Sequence, residues 1–303
     1  MLSLSASTSP EIACPPRRMR PRDLSDHREI AHQSRLATVI DSRVGGNSPM
    51  PSGHEAATQI VLPYAGLFAY SIGRQKWLID SSNILLIRPG WDFTDEQPVP
   101  GLGHASLLIN PNQAVFDEII GSRAGSAHVG TLFGGARSSP EIWLATQSFL
   151  AATGRGSAPL QTDEWVINVL QLATGRPAIR LRACARTVDR AKAYLHAHAH
   201  ERVSLHRIAR AVGVSPVYLT QEFARSEGVP LYQYQLQLRL IDALRRLRDC
   251  DDITDLALEL GFSSHSHFSA AFKRTVGRSP SDIRESLRSK GSSLPLWKGR
   301  RPS

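Results

Sequence analysis

Two stretches in the last third of this 303-residue chain repeat one another. The first runs Ile208-Ala209, Gly213, Ser215, Leu219, Phe223 and Gly228; the second runs Leu256-Ala257, Gly261, Ser264, Phe268, Phe272 and Gly277. Ala209 to Ala257 and Gly213 to Gly261 are each 48 positions apart. Leu219 to Phe268, Phe223 to Phe272 and Gly228 to Gly277 are each 49 apart, so the frame takes one extra residue between two conserved-length segments. In each copy a small Ala permits close helix crossing. The Gly four residues later lets the chain leave a helix at positive φ without steric cost. Ser215 and Ser264 stand where a helix N-cap is wanted, and the i, i+4 apolar pairs behind them pin a second helix. Each copy predicts helix, turn and helix. A tandem pair of such units suits one chain touching two adjacent major grooves of double-stranded DNA. Plain helical hairpins are the competing reading; matched caps, offsets and apolar pairs in both copies weigh against it.

Charge is distributed in the same sense. The chain carries a net charge of +9, with 23 Lys and Arg against 12 Asp and Glu in residues 176–303, and 13 against 15 in residues 1–175. A basic C-terminal half beside a near-neutral N-terminal half fits a polyanion-binding module joined to a sensing or assembly module. Cys14, Cys184 and Cys250 are too scattered for a disulfide scaffold or a zinc site. Residues 1–22 lack the apolar core of a signal peptide, and no window approaches the ~18 apolar residues of a membrane span. A cytoplasmic bacterial protein with no membrane association is expected.

With these residues set out, the segment 188–288 resembles the DNA-binding domain of the AraC/XylS family of bacterial transcription regulators. Leu205, Ile208-Ala209, Gly213-Val214-Ser215, Tyr218-Leu219, Phe223 and Gly228 match its first unit. Arg239, Ala243 and Leu247 match its linker helix. Ile253, Ala257, Gly261-Phe262, Ser266, Phe268-Ser269, Phe272-Lys273-Arg274, Gly277, Ser279-Pro280 and Arg284 match the second. Gln221 and Ala270 depart from the family, which often has basic residues there. The resemblance implies a sequence-specific regulator, more often an activator, with a homodimer, a small-molecule effector and RNA polymerase as partners.

Upstream, short β-like runs separated by breakers are expected at Gln59–Tyr64, Leu67–Ile72, Lys76–Asp80, Ile84–Arg88 and His104–Ile109. Glu29–Thr38 begins the domain as a short helix or strand, and residues 45–53 read as a loop. Helical periodicity follows at Gln113–Ile120, Glu141–Ala151 and Asp163–Leu172. This layout resembles the cupin-like sensor domain of many such regulators. The expected fold class is α+β: an N-terminal cupin-like β-barrel with flanking helices, then an all-α domain of two helix-turn-helix units joined by a linker helix. The expected division is a disordered tail over 1–28, a sensor or dimerisation domain over 29–174 and a linker over 175–187. The DNA-binding domain then covers 188–288, with units about 205–226 and 253–276, and a flexible tail covers 289–303. A helix over Thr187–Ala197 should open the DNA-binding domain.

Tyr64, Phe68, Tyr70, Trp77 and Trp91 are candidates for lining an effector site, against the simpler reading that they are core. No metal or cofactor is expected. His54, Glu55, His104 and His128 are dispersed, and in the alternating run His196, His198 and His200, at the end of a helical pattern, each i, i+2 pair points to different faces.

Between the units, Pro230–Asp249 carries Leu236, Leu240, Ala243, Leu244 and Leu247 on one face. It reads as a strut of ~28 Å at ~1.5 Å per residue, able to hold two probes about one DNA turn (~34 Å) apart. The candidate DNA-contacting residues are Ser215, Val217, Thr220, Gln221 and Arg225 in the first unit. In the second they are Ser264, His265, His267, Ser269, Lys273 and Arg274. Val217 suits thymine methyls and Gln221 suits adenine, while Arg225, Lys273 and Arg274 suit phosphates. No catalytic residue is expected. The competing functions are a DNA-binding protein without an effector, a cupin-type enzyme, and a DNA-repair alkyl acceptor, which would need an activated thiolate that no Pro-Cys-His motif supplies.

Overall fold

The computed structural model describes residues 24–121, 134–153, 159–174, 186–199 and 201–289. The strands are β1 His27–Gln33, β2 Ala37–Val44, β3 Ser52–His54, β4 Gln59–Ala65, β5 Leu67–Ile72, β6 Gln75–Asp80, β7 Asn83–Ile87, β8 Asp92–Glu96, β9 His104–Pro111 and β10 Gly134–Arg137. Helices α1 Gln113–Gly121, α2 Pro140–Thr153 and α3 Pro159–Thr174 complete the N-terminal domain. The C-terminal domain is entirely helical: α4 Arg186–Ala197, α5 Leu205–Val212, α6 Pro216–Glu227, α7 Leu231–Leu247, α8 Ile253–Glu259, α9 His265–Val276 and α10 Pro280–Arg288. The protein is therefore α+β, with sheet and helix segregated along the chain.

The strands form two antiparallel sheets, ordered β1-β2-β9-β4-β7-β10 and β3-β8-β5-β6. Val61, Leu85 and Ile87 of the first sheet meet Phe68, Tyr70, Ile72, Trp77 and Ile79 of the second, filling the space between them. Side chains alternate across a strand, so Ile60, Leu62 and Tyr64 point the other way from Val61. There they pack with Phe116 of α1, Ile142 and Phe149 of α2, and Trp165, Val166, Val169 and Leu170 of α3. Burial on both faces explains why β4 reads as a continuous apolar run.

The structure departs from the expected elements at four places. The folded domain starts before residue 29, since Leu24 is buried in the helix-covered core and β1 begins at His27. Glu29–Thr38 spans two strands and the turn between them, not one element. The expected loop over 45–53 contains the start of β3, and β8 pairs with both β3 and β5 despite its charged sequence. Trp91 is 44% exposed and Tyr64 faces away from Phe68, Tyr70 and Trp77, so the five aromatics do not converge on one cavity. Most of the 175–187 linker, and residues 1–23 and 290–303 of the two tails, lie outside the described residues, as do Cys14, Cys184, His128 and His200.

One buried carboxyl in the second sheet has a pH signature. Burial, and then the charge of Glu55, push Asp95 up to about 7. The ordinary unfolded value is ~3.9, so between those pH values the folded state keeps a proton that the unfolded state has lost. Stability contributed by this group therefore falls as pH rises through that window. Asp95→Asn is expected to raise the Tm at pH 8 by about 3–5 °C and to leave it unchanged near pH 4, as read by calorimetry.

Candidate nucleic-acid interface

Each helix-turn-helix unit is built around a glycine turn and a serine cap. Gly213 and Gly261 take φ of 79° and 80°, a region that costs a side chain but not glycine. Ser215 Oγ accepts from Tyr218 N at 3.2 Å and Ser264 Oγ accepts from His267 N at 3.2 Å, opening α6 and α9. Leu219 and Phe223 anchor α6 against α4, α5 and the start of α7, with Tyr234 edge-on to Phe223. Phe268 and Phe272 anchor α9 in a second core with α8, α10 and the far half of α7. The strut α7 is 17 residues, ~26 Å at ~1.5 Å per residue, and its two ends belong to different cores.

With their apolar sides sunk, α6 and α9 present polar faces to solvent. Val217, Thr220, Gln221, Arg225, His265, His267, Lys273 and Arg274 are exposed, and Ser269 is half-buried. The free hydrogen-bonding capacity is less even. Ser215 and Ser264 spend their hydroxyls on capping. Thr220 Oγ1 donates to Pro216 O at 2.8 Å, and Arg225 folds back onto Glu222 at 2.6 Å. Gln221 makes no side-chain hydrogen bond, and Lys273 and Arg274 make no ion pair, among the described residues. Tyr218, one residue beyond Val217 on α6, is exposed on the same helix.

Both units are docked on the N-terminal domain. Asp80, at the end of β6, is fully buried and lies 3.2 Å from Lys192 of α4, itself 2% exposed. Tyr234 Oη donates to Asp80 at 2.5 Å, and His196 Nε2 lies 3.2 Å from the same Tyr234 oxygen. Lys192 also approaches Glu227 at the end of α6, and Arg137 of β10 pairs with Glu227 at 3.0 Å. Burial alone would raise the Asp80 carboxyl, but the charge of Lys192 and the hydrogen bond and charge of His196 hold it well below its ordinary value. The second unit is held differently: Trp143, Leu144 and Ala151 of α2 enter its apolar core, and Trp143 Nε1 donates to Ser81 O at 3.0 Å.

A cavity of about 270 Å³ opens between the domains, lined by Tyr64, Ser81, His196, Leu238, Ile241 and Arg245 among others. The metal-like group among the described residues is His27, Glu29 and Asp41. Asp41 already binds Arg43 at 2.5 Å and accepts from Tyr64 at 2.6 Å, and the adjacent guanidinium opposes a cation. Of the dispersed donors, His104 is buried against Phe68 at 4.4 Å, and that burial lowers its pKa to about 4.

Comparison with known proteins bears on the C-terminal domain. Residues 208–286 match the family described as a helix-turn-helix domain. The transcriptional activator RhaS of Escherichia fergusonii is 36% identical over 94 residues, covering 31% of this chain and 34% of that protein. An HTH-type transcriptional regulator of Staphylococcus aureus is 36% identical over 92 residues, covering 30% of this chain and 12% of its own length. This chain thus spans about a third or less of the relatives it matches. A solved AraC-type transcriptional regulator structure from Chromobacterium violaceum is similar at 30% identity and a TM-score of 0.33, covering 35% of this chain and 95% of that one.

Proposed function

From the premise that residues 208–286 form an AraC-type helix-turn-helix domain, we propose that the chain is a sequence-specific transcription regulator, acting on DNA in the bacterial cytoplasm without catalysis. The observation that carries this reading is the pair of capped helices, each rooted by two buried aromatic or leucine side chains and each turning an exposed polar face outward. A helix needs that arrangement to enter a major groove, because the groove admits its width and offers donors and acceptors only to side chains at its surface.

Within the first unit, Gln221 is the reader of choice. It is exposed and unengaged, and its amide can pair with adenine through both a donor and an acceptor. Val217 offers a methyl contact to thymine. Lys273 and Arg274 bind phosphates, whose contacts give affinity and salt dependence with little discrimination. Arg225 reaches a phosphate only by leaving Glu222, so its net contribution is smaller.

The N-terminal domain acts as sensor, assembly surface or both. A ligand or a second copy that alters its packing would act on both units, through Asp80–Lys192 and through α2. Activation, through contact with RNA polymerase, is the favoured sign of regulation. Melting shifts against a panel of small molecules would identify an effector, since a ligand bound only by the folded state raises its stability.

Selection of bound DNA from a random pool with the full chain, at stated salt, tests the reading. Two half-sites about one helical turn apart are expected. Gln221→Ala should cost about 1–3 kcal/mol at the preferred site and relax one position. Lys273→Ala should weaken all sequences alike and flatten the salt dependence by about one phosphate contact. An unselective pool would reject the reading.

A further inference from the structure

Two serine–histidine pairs interlock on the exposed start of α9, and they leave the two rings in different states. Ser263 Oγ lies 3.1 Å from His267 Nδ1, and Ser269 Oγ lies 3.3 Å from His265 Nε2. His265 thus turns its far nitrogen back onto its own helix. His267 does the opposite: its near nitrogen is tied, and Nε2 is the ring atom left for a ligand. Behind it stands Phe262, edge-on with ring centroids 5.6 Å apart and 77° between planes. Phe262 is 1% exposed and packs against Phe268, and its carbonyl accepts from Arg202 at 3.0 Å. The wall behind His267 is therefore fixed.

We propose that Ser263 sets His267 as an outward ring N–H donor aimed at guanine, so that the second unit reads a G·C pair in its half-site. This rests on the DNA-binding reading above and specifies what one face of it recognises. A neutral imidazole has one donor and one acceptor nitrogen, and the hydrogen bond at one fixes the role of the other. In the arrangement proposed, the Ser263 hydroxyl, which makes no other hydrogen bond among the described residues, donates to Nδ1 across the 3.1 Å contact. Nε2 then carries the hydrogen. Guanine shows two acceptors in the major groove, N7 and O6, whereas adenine sets an amino donor beside its N7. A single N–H donor at that depth favours guanine. Ala270, three residues on and on the same side of α9, is small and exposed, so no long side chain shields the imidazole. The first unit, with Val217 and Gln221, is suited to A·T pairs; the two half-sites should differ in composition accordingly.

The test uses the full chain and the DNA recovered by selection, with 7-deazaguanine placed singly at each guanine under the second unit. That base lacks the N7 acceptor and otherwise pairs normally. One position should lose about fivefold in affinity, the size of one hydrogen bond. His267→Ala should bind all four bases at that position alike and ignore the deaza substitution. Ser263→Ala should lower the guanine preference several-fold with an unchanged Tm, and Ser263→Thr, which keeps the hydroxyl, should restore it. Selective binding with no deaza-sensitive guanine in that half-site would overturn the proposal while leaving the regulator reading intact. Deaza sensitivity that persists in His267→Ala, or an unaltered preference in Ser263→Ala, would also overturn it. Absence of any sequence preference in the unmodified protein would instead overturn the regulator reading.

Discussion

Replacing Lys192 with Met should lower the unfolding free energy by about 3–5 kcal/mol, the usual cost of stripping one partner from a buried ion pair. Methionine keeps most of the volume of the lysine stem, so the loss isolates the charge. Asp80 would be left fully buried without Lys192, keeping Tyr234 and Ser82 N as donors and His196 at 3.5 Å. Glu227 would keep Arg137. The double variant Lys192→Met, Asp80→Asn should recover much of the loss, because the stranded charge is then gone; a urea titration of all four proteins gives the coupling directly. The pH dependence has a definite sign. Asp80 has a folded value below its unfolded one, so its contribution is present above ~pH 4 and is lost as pH falls through the folded value. In Lys192→Met that carboxyl becomes easier to protonate, and the gap between variant and parent should narrow from pH 7 towards pH 4. A gap that stays constant would mean that Lys192 acts through packing alone.

The sequence made some of this architecture legible and hid the rest for identifiable reasons. The recognition units could be read because their requirements are local: a glycine at positive φ, a serine cap and an apolar pair four residues apart all fall within one short span. Strands β4 to β7 and β9 could be read because apolar runs are separated by Gly66, Gly73, the Ser81-Ser82 turn, Pro89-Gly90 and Gly103. Strand β2 was obscured by Asp41, Ser42 and Arg43, which look like loop residues until Tyr64 and Arg43 are seen to satisfy the buried Asp41 carboxylate. Strand β8, Asp92–Glu96, has no apolar alternation; its partners on both sides impose the extended form. The network between the domains was invisible, since Asp80 and Tyr234 are 154 positions apart and nothing in either neighbourhood marks the other. A buried Lys192 on an otherwise ordinary helix gives no local sign of its partner. Thr220 is a similar case: its residue type suited DNA contact, and only the structure shows its hydroxyl engaged with Pro216 O, whereas the capping roles of Ser215 and Ser264 were legible from their positions.

Trp143→Ala should destabilise the helical C-terminal half of the molecule from a position in the other domain. Helix α2 is buried on two sides: Ile142 and Phe149 face the sheet, and Trp143, Leu144 and Ala151 face the second unit. Removing the indole empties a site shared with the core that holds Phe268 and Phe272, and leaves Ser81 O without its donor. Large-to-small changes of this kind cost about 3–5 kcal/mol, and the cavity would lie beside α9 and not beside α6. Protection of DNA by the second unit should therefore weaken more than protection by the first, at temperatures where the variant is still folded. Trp143→Phe refills most of the volume without the N–H, so it should restore most of the stability and separate packing from the hydrogen bond to Ser81. Equal footprints over both half-sites in Trp143→Ala, despite an early melt, would show that α2 supports the fold without reaching the recognition helix. An unequal footprint would mean that the sheet domain sets the grip of the second unit through this one side chain.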